Sequence, residues 1–116
     1  MTGPREISGH VLMAEALDLP SSTLYVRVED VSRVDAAADV VAEIAIPVDH
    51  PLAEGAELPF TLTVPDIDDQ AHYSVRAHLD TTGSRRIDSG DRISMQSYPV
   101  ATFGNPDEAI IDARKV

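Results

Sequence analysis

Apolar and polar residues alternate with a period of two along most of this chain. The clearest stretch runs from Leu58 to Gly83. Leu58, Phe60, Leu62 and Val64 alternate with Pro59, Thr61 and Thr63. After an acidic loop, Pro65 to Gln70, Tyr73, Val75, Ala77 and Leu79 alternate with His72, Ser74, Arg76 and His78. A period of two gives a strand with one buried and one wet face. The stretch therefore predicts two strands around a loop.

The same pattern extends in both directions. Ile7, Gly9, Val11 and Met13 share one face of a first strand, and Thr23 to Asp30 forms a second, with Leu24, Val26 and Val28 opposite Tyr25, Arg27 and Glu29. Asp18 to Ser22 is a turn cluster between them. Val31 to Asp39 carries three alanines but is too short for a stable helix, so it reads as a loop or a single helical turn. Val40 to Val48 is the next strand, with Val40, Ala42, Ile44, Ile46 and Val48 on one face, and a loop from Asp49 to Gly55 closes it. Ser84 to Arg92 is polar and loop-like, with room for a short strand around Arg86 and Ile87. Ile93 to Val100 is a weaker strand, in which Pro99 removes a ladder donor and suits an edge or a strand end. Phe103 to Pro106 is a turn, and Ala109 to Val116 is the last strand.

Short strands punctuated about every dozen residues, with no helical pattern between them, point to an all-β sandwich or barrel. The expected fold is one domain over residues 1–116, a seven- to eight-stranded antiparallel β-sandwich of immunoglobulin-like or transthyretin-like architecture. A chain of 116 residues can bury a core without covalent staples. Aromatic residues make up 4% of it, so that core must be Val, Ile, Leu and Ala.

Composition removes several function classes. There is no Cys, which excludes disulfides, thiolate metal sites, Cys nucleophiles and an acylated cysteine. A net charge of −11, with eight arginines and one lysine, repels phosphate backbones and anionic lipid. No nucleic-acid partner and no membrane insertion are therefore expected. No apolar run is long enough for a signal peptide or a spanning helix. The chain as it stands reads as cytoplasmic, or periplasmic if an export signal has been removed.

No catalytic signature stands out. There is no Gly-x-Ser-x-Gly elbow and no Gly-rich phosphate loop, and Ser89-Gly90-Asp91 reads as a turn. His72 and His78 share one strand face, but six residues put them ~20 Å apart, too far to hold one zinc. His10 and His50 come from distant segments. Asp66, Asp68 and Asp69 are the best candidates for calcium, although the spacing of an EF-hand loop is missing. The plainer reading is a solvated loop in which these side chains bond local backbone. Arg76 lies mid-strand on the face away from the core, where it forms a cross-strand ion pair or contacts a partner. No catalytic residue, no cofactor-binding residue, no metal ligand and no cofactor is assigned.

Five segments in order carry a resemblance: ISGHVLM, LPSSTLYVRVEDVS, LPFTLTV, HYSVRAHLDTTG and SYPVATFG. Tyr73, Arg76 and Ala77 mark the fourth, and Tyr98, Val100, Thr102 and Gly104 the last. With these the chain resembles the YbaY-type family, which includes the YscW-like pilotin lipoproteins of type III secretion. The resemblance covers almost the whole chain. It implies a β-sandwich and, for the pilotin branch, a chaperone of an outer-membrane secretin.

The expected function is thus non-enzymatic binding of a protein partner, through a sheet face or by strand addition to an open edge. Ile7 to Met13 and Ile93 to Val100 are the expected edges. A small-molecule or calcium-binding β-module, an enzyme and an edge-to-edge homodimer are the alternatives.

Overall fold

The computed structural model describes residues 3–33 and 35–116. Met1, Thr2 and Val34 lie outside the described residues, so part of the N-terminal reading and one position of the Val31–Asp39 segment do too. Eight strands follow in chain order: β1 (Arg5–Met13), β2 (Ser22–Asp30), β3 (Asp39–Val48), β4 (Glu57–Val64), β5 (Tyr73–Asp80), β6 (Arg92–Ser94), β7 (Pro99–Val100) and β8 (Glu108–Lys115). Around Asp35 and Ala36 the described residues form a turn and a bend, without a helix. Among the described residues no helix is long and apolar enough to cross a membrane.

All eight strands belong to one sheet, ordered β3-β2-β5-β6-β8-β1-β4, with β7 added to β5. The expected two-sheet sandwich is replaced by a single sheet that curls into a nearly closed barrel. The pairing is not wholly antiparallel either, because β1 runs parallel to β8. Alternation cannot separate these architectures: a sandwich and a barrel both present one inward and one outward face on every strand. The inward residues converge on one core, with Ile7, Val11, Leu24, Val26, Val28, Val64, Leu79 and Ile111 fully buried. They are the branched aliphatics that the scarcity of aromatics requires.

The parallel β1–β8 pair depends on Gly9. This glycine faces Ala109 across the pair and Phe60 on β4. An ideal Cβ on Gly9 would sit 1.8 Å from the Ala109 carbonyl oxygen. Only hydrogen fits there.

The sheet ends on β3 and β4, which lie side by side, joined through residues 49–56, with no ladder between them. One end of the barrel is tied shut. Leu17 and Leu52 exchange two backbone hydrogen bonds of 2.8 Å, and the Gly55 N–H donates to the Met13 carbonyl, also at 2.8 Å. Leu17 and Leu52 are buried.

One expected edge, β1, is therefore interior, and so is the β6 part of the other, while its β7 part is laddered to β5 alone. β1 lies between β8 and β4, and β6 between β5 and β8. The anticipated Ile93–Val100 strand is really two pieces, β6 and β7, separated by Met95 to Tyr98. No strand forms at Arg86 and Ile87. Pro47 and Pro59 fall on β3 and β4, the true edges, where a missing N–H is tolerated.

Candidate functional site

The seam between β3 and β4 is the first feature that a partner could use. On β2 the inward Leu24, Val26 and Val28 are fully buried. On β3 their register partners Ile46, Ile44 and Ala42 are only half-buried, although they pack on the same core. The difference arises because β2 has a strand on each side and β3 has one. Leu58, at the start of β4, is half-buried too. The open edge of β3 thus combines unpaired main-chain groups with apolar side chains that a further strand would cover.

A register shift between Val28 and Glu29 bends this edge. Ala42 faces Val28 and Val40 faces Glu29, so Val41 is the extra residue of a bulge. Val40, expected inside with Ala42, turns outward and is 50% exposed, while Val41 packs on the core. Nothing in the alternation of this stretch marks the bulge.

The outward faces of β2, β5 and β6 build a second feature, a groove of about 350 Å³ floored by Arg27, Arg76, Ala77, His78 and Ile93 and walled by Arg85, Arg86 and Ile87. Arg76 is ion-paired, as the plainer reading expected. Its Nε donates to Glu29 Oε1 at 3.2 Å, and Arg27 Nε lies 2.9 Å from Glu29 Oε2. The second contact is close but misaligned for a hydrogen bond, leaving buried Arg27 Nε with the charge attraction alone. Glu29, expected on the wet face, is covered by these two guanidiniums and is buried. Arg85 stacks on the Tyr25 ring, 4.2 Å from its centroid, and donates to Glu43 at 2.6 Å.

Residues 81–91 carry Arg85 and Arg86, and two buried carboxylates hold this loop. Asp91 Oδ1 accepts from the Thr81 N–H and hydroxyl at 3.0 and 2.5 Å. Its Oδ2 accepts from His78 Nε2 at 2.7 Å and from the Asp88 N–H at 3.1 Å. Asp80 accepts from the N–H groups of Thr82, Gly83 and Arg85. Burial pushes both carboxyls up, but these donors outweigh it: Asp91 is lowered to about 2, and Asp80 also lies below 3.8.

His78, Asp80 and Asp91 place ligand atoms within 4.8 Å of one another. A cation there would compete with the backbone N–H groups from which both carboxylates already accept. The cluster serves as a loop anchor. Its members were missed in the sequence because His78 reads as a surface histidine and Asp91 as part of a turn. Asp91 is in fact fully buried.

The other candidates remain apart. His72 stacks on Phe103, with centroids 4.2 Å apart, and its N–H donates to the Ser32 hydroxyl. His50 pairs with the adjacent Asp49. In the acidic loop, Asp68 Oδ1 accepts the Gln70 N–H, the local turn bonding expected of such a segment. Asp66, Asp68 and Asp69 do not converge on a common point among the described residues.

The comparisons with known proteins come from two directions. A family model described as a type III secretion system lipoprotein chaperone (YscW) matches residues 3–112. In fold, the chain is similar to an alternative pilotin from the type II secretion system of Vibrio cholerae. That match has a TM-score of 0.79, 25% identity, and 97% of each chain covered. No curated protein matches the sequence.

Proposed function

The chain belongs to the YscW family of type III secretion system lipoprotein chaperones, and from that premise we propose that it is a non-enzymatic chaperone binding an extended segment of a secretion-system protein along β3. The half-covered face of β3 carries this reading. Ala42, Ile44 and Ile46 pack on the core yet stay open to solvent beside an unpaired edge. An incoming strand would gain main-chain hydrogen bonds from the edge and apolar burial from those side chains. The secretin is the proposed partner, as the pilotin resemblance implies. The family's description as lipoproteins supports the periplasmic side of the membrane. The cytoplasmic expectation, which rested on composition and the first residues, finds no support in it.

The reading is tested with peptides tiling the secretin of the same secretion system. A binding peptide should slow hydrogen exchange in β3 selectively, and its backbone N-methylated form should bind at least tenfold more weakly. Ile44→Asp should cause a similar loss by placing a charge against the apolar floor. Unchanged β3 exchange on saturation, or equal binding by Ile44→Asp, sinks strand addition. Protection of β3 that appears only as the chain self-associates in sedimentation makes the edge a homodimer interface instead.

A further inference from the structure

The groove over β2, β5 and β6 differs in charge from the rest of the molecule. Arg27, Arg76, Arg85 and Arg86 all line it, nearly half of the nine basic residues in the chain. Among the described residues, only Glu29 and Glu43 are ion-paired with them. The four lining arginines and their two paired glutamates thus sum to +2, while the rest of the chain, including Asp80 and Asp88 beside Arg85 and Arg86, sums to −13. Such an inversion on an acidic protein focuses attraction at one place.

The pairing leaves the useful ends of the guanidiniums open. Glu29 meets Arg27 and Arg76 through their inner Nε atoms, one carboxylate oxygen each. Among the described residues, the terminal nitrogens of both arginines make no hydrogen bond, and the Arg86 side chain makes none at all. Asp88, whose carboxylate feels the charge of Arg86, is already bonded to the Ser84 and Thr82 hydroxyls. Two guanidiniums held from behind by a buried acid are pre-organised, and less conformational freedom is lost when a ligand arrives. Their forks match carboxylates in a two-point geometry. Ile87, 55% exposed, and Ile93 add apolar surface alongside.

We propose that this groove is a second binding site, for an acidic peptide segment in which carboxylates alternate with an apolar side chain. The carboxylates meet Arg27, Arg76 and Arg86, and the apolar side chain lies against Ile87 and Ile93. The overall charge of −11 disfavours the other polyanions, nucleic acid and anionic lipid, whose extended charge would meet repulsion around the groove. A short peptide places its charges only where the arginines are. The site is on the outer sheet face, separate from the β3 edge, and does not depend on what binds there.

The test uses a fluorescein-labelled peptide of alternating glutamate and leucine and its glutamine counterpart, followed by anisotropy at low and moderate salt. The acidic peptide should bind at least tenfold more tightly, with affinity falling as salt rises. Arg86→Glu, at an exposed position without a partner, should weaken it about tenfold while leaving the melting temperature unchanged. Methyl signals of Ile87 and Ile93 should shift on titration, and those of Ile44 and Ile46 should not. Equal affinity for the glutamine peptide, or unaltered binding by Arg86→Glu, overturns the proposal. So does displacement by inorganic phosphate or a short oligonucleotide at concentrations below that of the peptide. Loss of binding in Ile44→Asp would place the peptide at the β3 edge and overturn this site without touching the other reading.

Discussion

Replacing Gly9 by alanine is expected to destabilise the fold by about 3 kcal/mol or more, which in a barrel of this size approaches loss of the native state. The added methyl would meet the Ala109 carbonyl oxygen at 1.8 Å. That atom belongs to the main chain of β8, so no side-chain rotation relieves the clash. The strands must separate, and β1–β8 is the one parallel pair among the described residues. Without it the barrel divides into a six-strand piece, β3-β2-β5-β6-β8 with β7 on β5, and the β1–β4 pair. Each piece would expose its half of the core. Gly83 provides the control. It has a φ of 81° and open space around its Cβ position, so Gly83→Ala meets only backbone strain, about 1 kcal/mol. Urea denaturation of both variants gives the comparison. A Gly9→Ala protein within about 0.5 kcal/mol of the parent would refute the close approach.

How far the sequence revealed this fold follows from what alternation encodes. Strand positions and inward sets were legible because each depends on neighbours two residues apart. Leu24, Val26 and Val28, and Val75, Ala77 and Leu79, are buried as their spacing demands. The order of strands was not legible, because pairing depends on residues far apart in the chain. Gly9 and Ala109 meet across one hundred residues, and neither announces the other. The expected edges failed for the same reason. β6, with three residues, looks too short and polar to be interior, yet it bridges β5 and β8.

The candidate site was partly legible. Arg76 was recognisable as an outward mid-strand cation. That Arg27, Arg85 and Arg86 share its groove depends on the β2–β5 register and on a loop with no regular structure. Glu29 illustrates the limit. By period it belongs to the wet face, and it does point there, but two arginines cover it. Burial on a barrel exterior is made by long side chains, and alternation carries no record of them.

Asp91→Asn should cost about 3 kcal/mol at neutral pH and should flatten the acid limb of the stability curve. The substitution keeps the shape and removes the charge. Both oxygens of Asp91 face backbone donors, Thr81 on one side and Asp88 on the other. An amide turned either way aims its NH2 at one of those N–H groups, so one buried donor pair stays unmet. The sign of the pH effect follows from the lowered pKa. Unfolded, the carboxyl titrates near 3.8; folded, at about 2. Its contribution is therefore fully present above about pH 4 and disappears as the pH falls toward 2, a loss of about 2 kcal/mol. Asp80, lowered by the same loop's N–H groups, adds to the fall in the same direction. The parent should lose stability steeply over that window and Asp91→Asn less so, read from denaturation midpoints between pH 2 and 5. Because the freed loop carries Arg85 and Arg86, hydrogen exchange across residues 81–91 should quicken in the variant. An unchanged acid limb would mean that Asp91 is not the group that holds this loop in place.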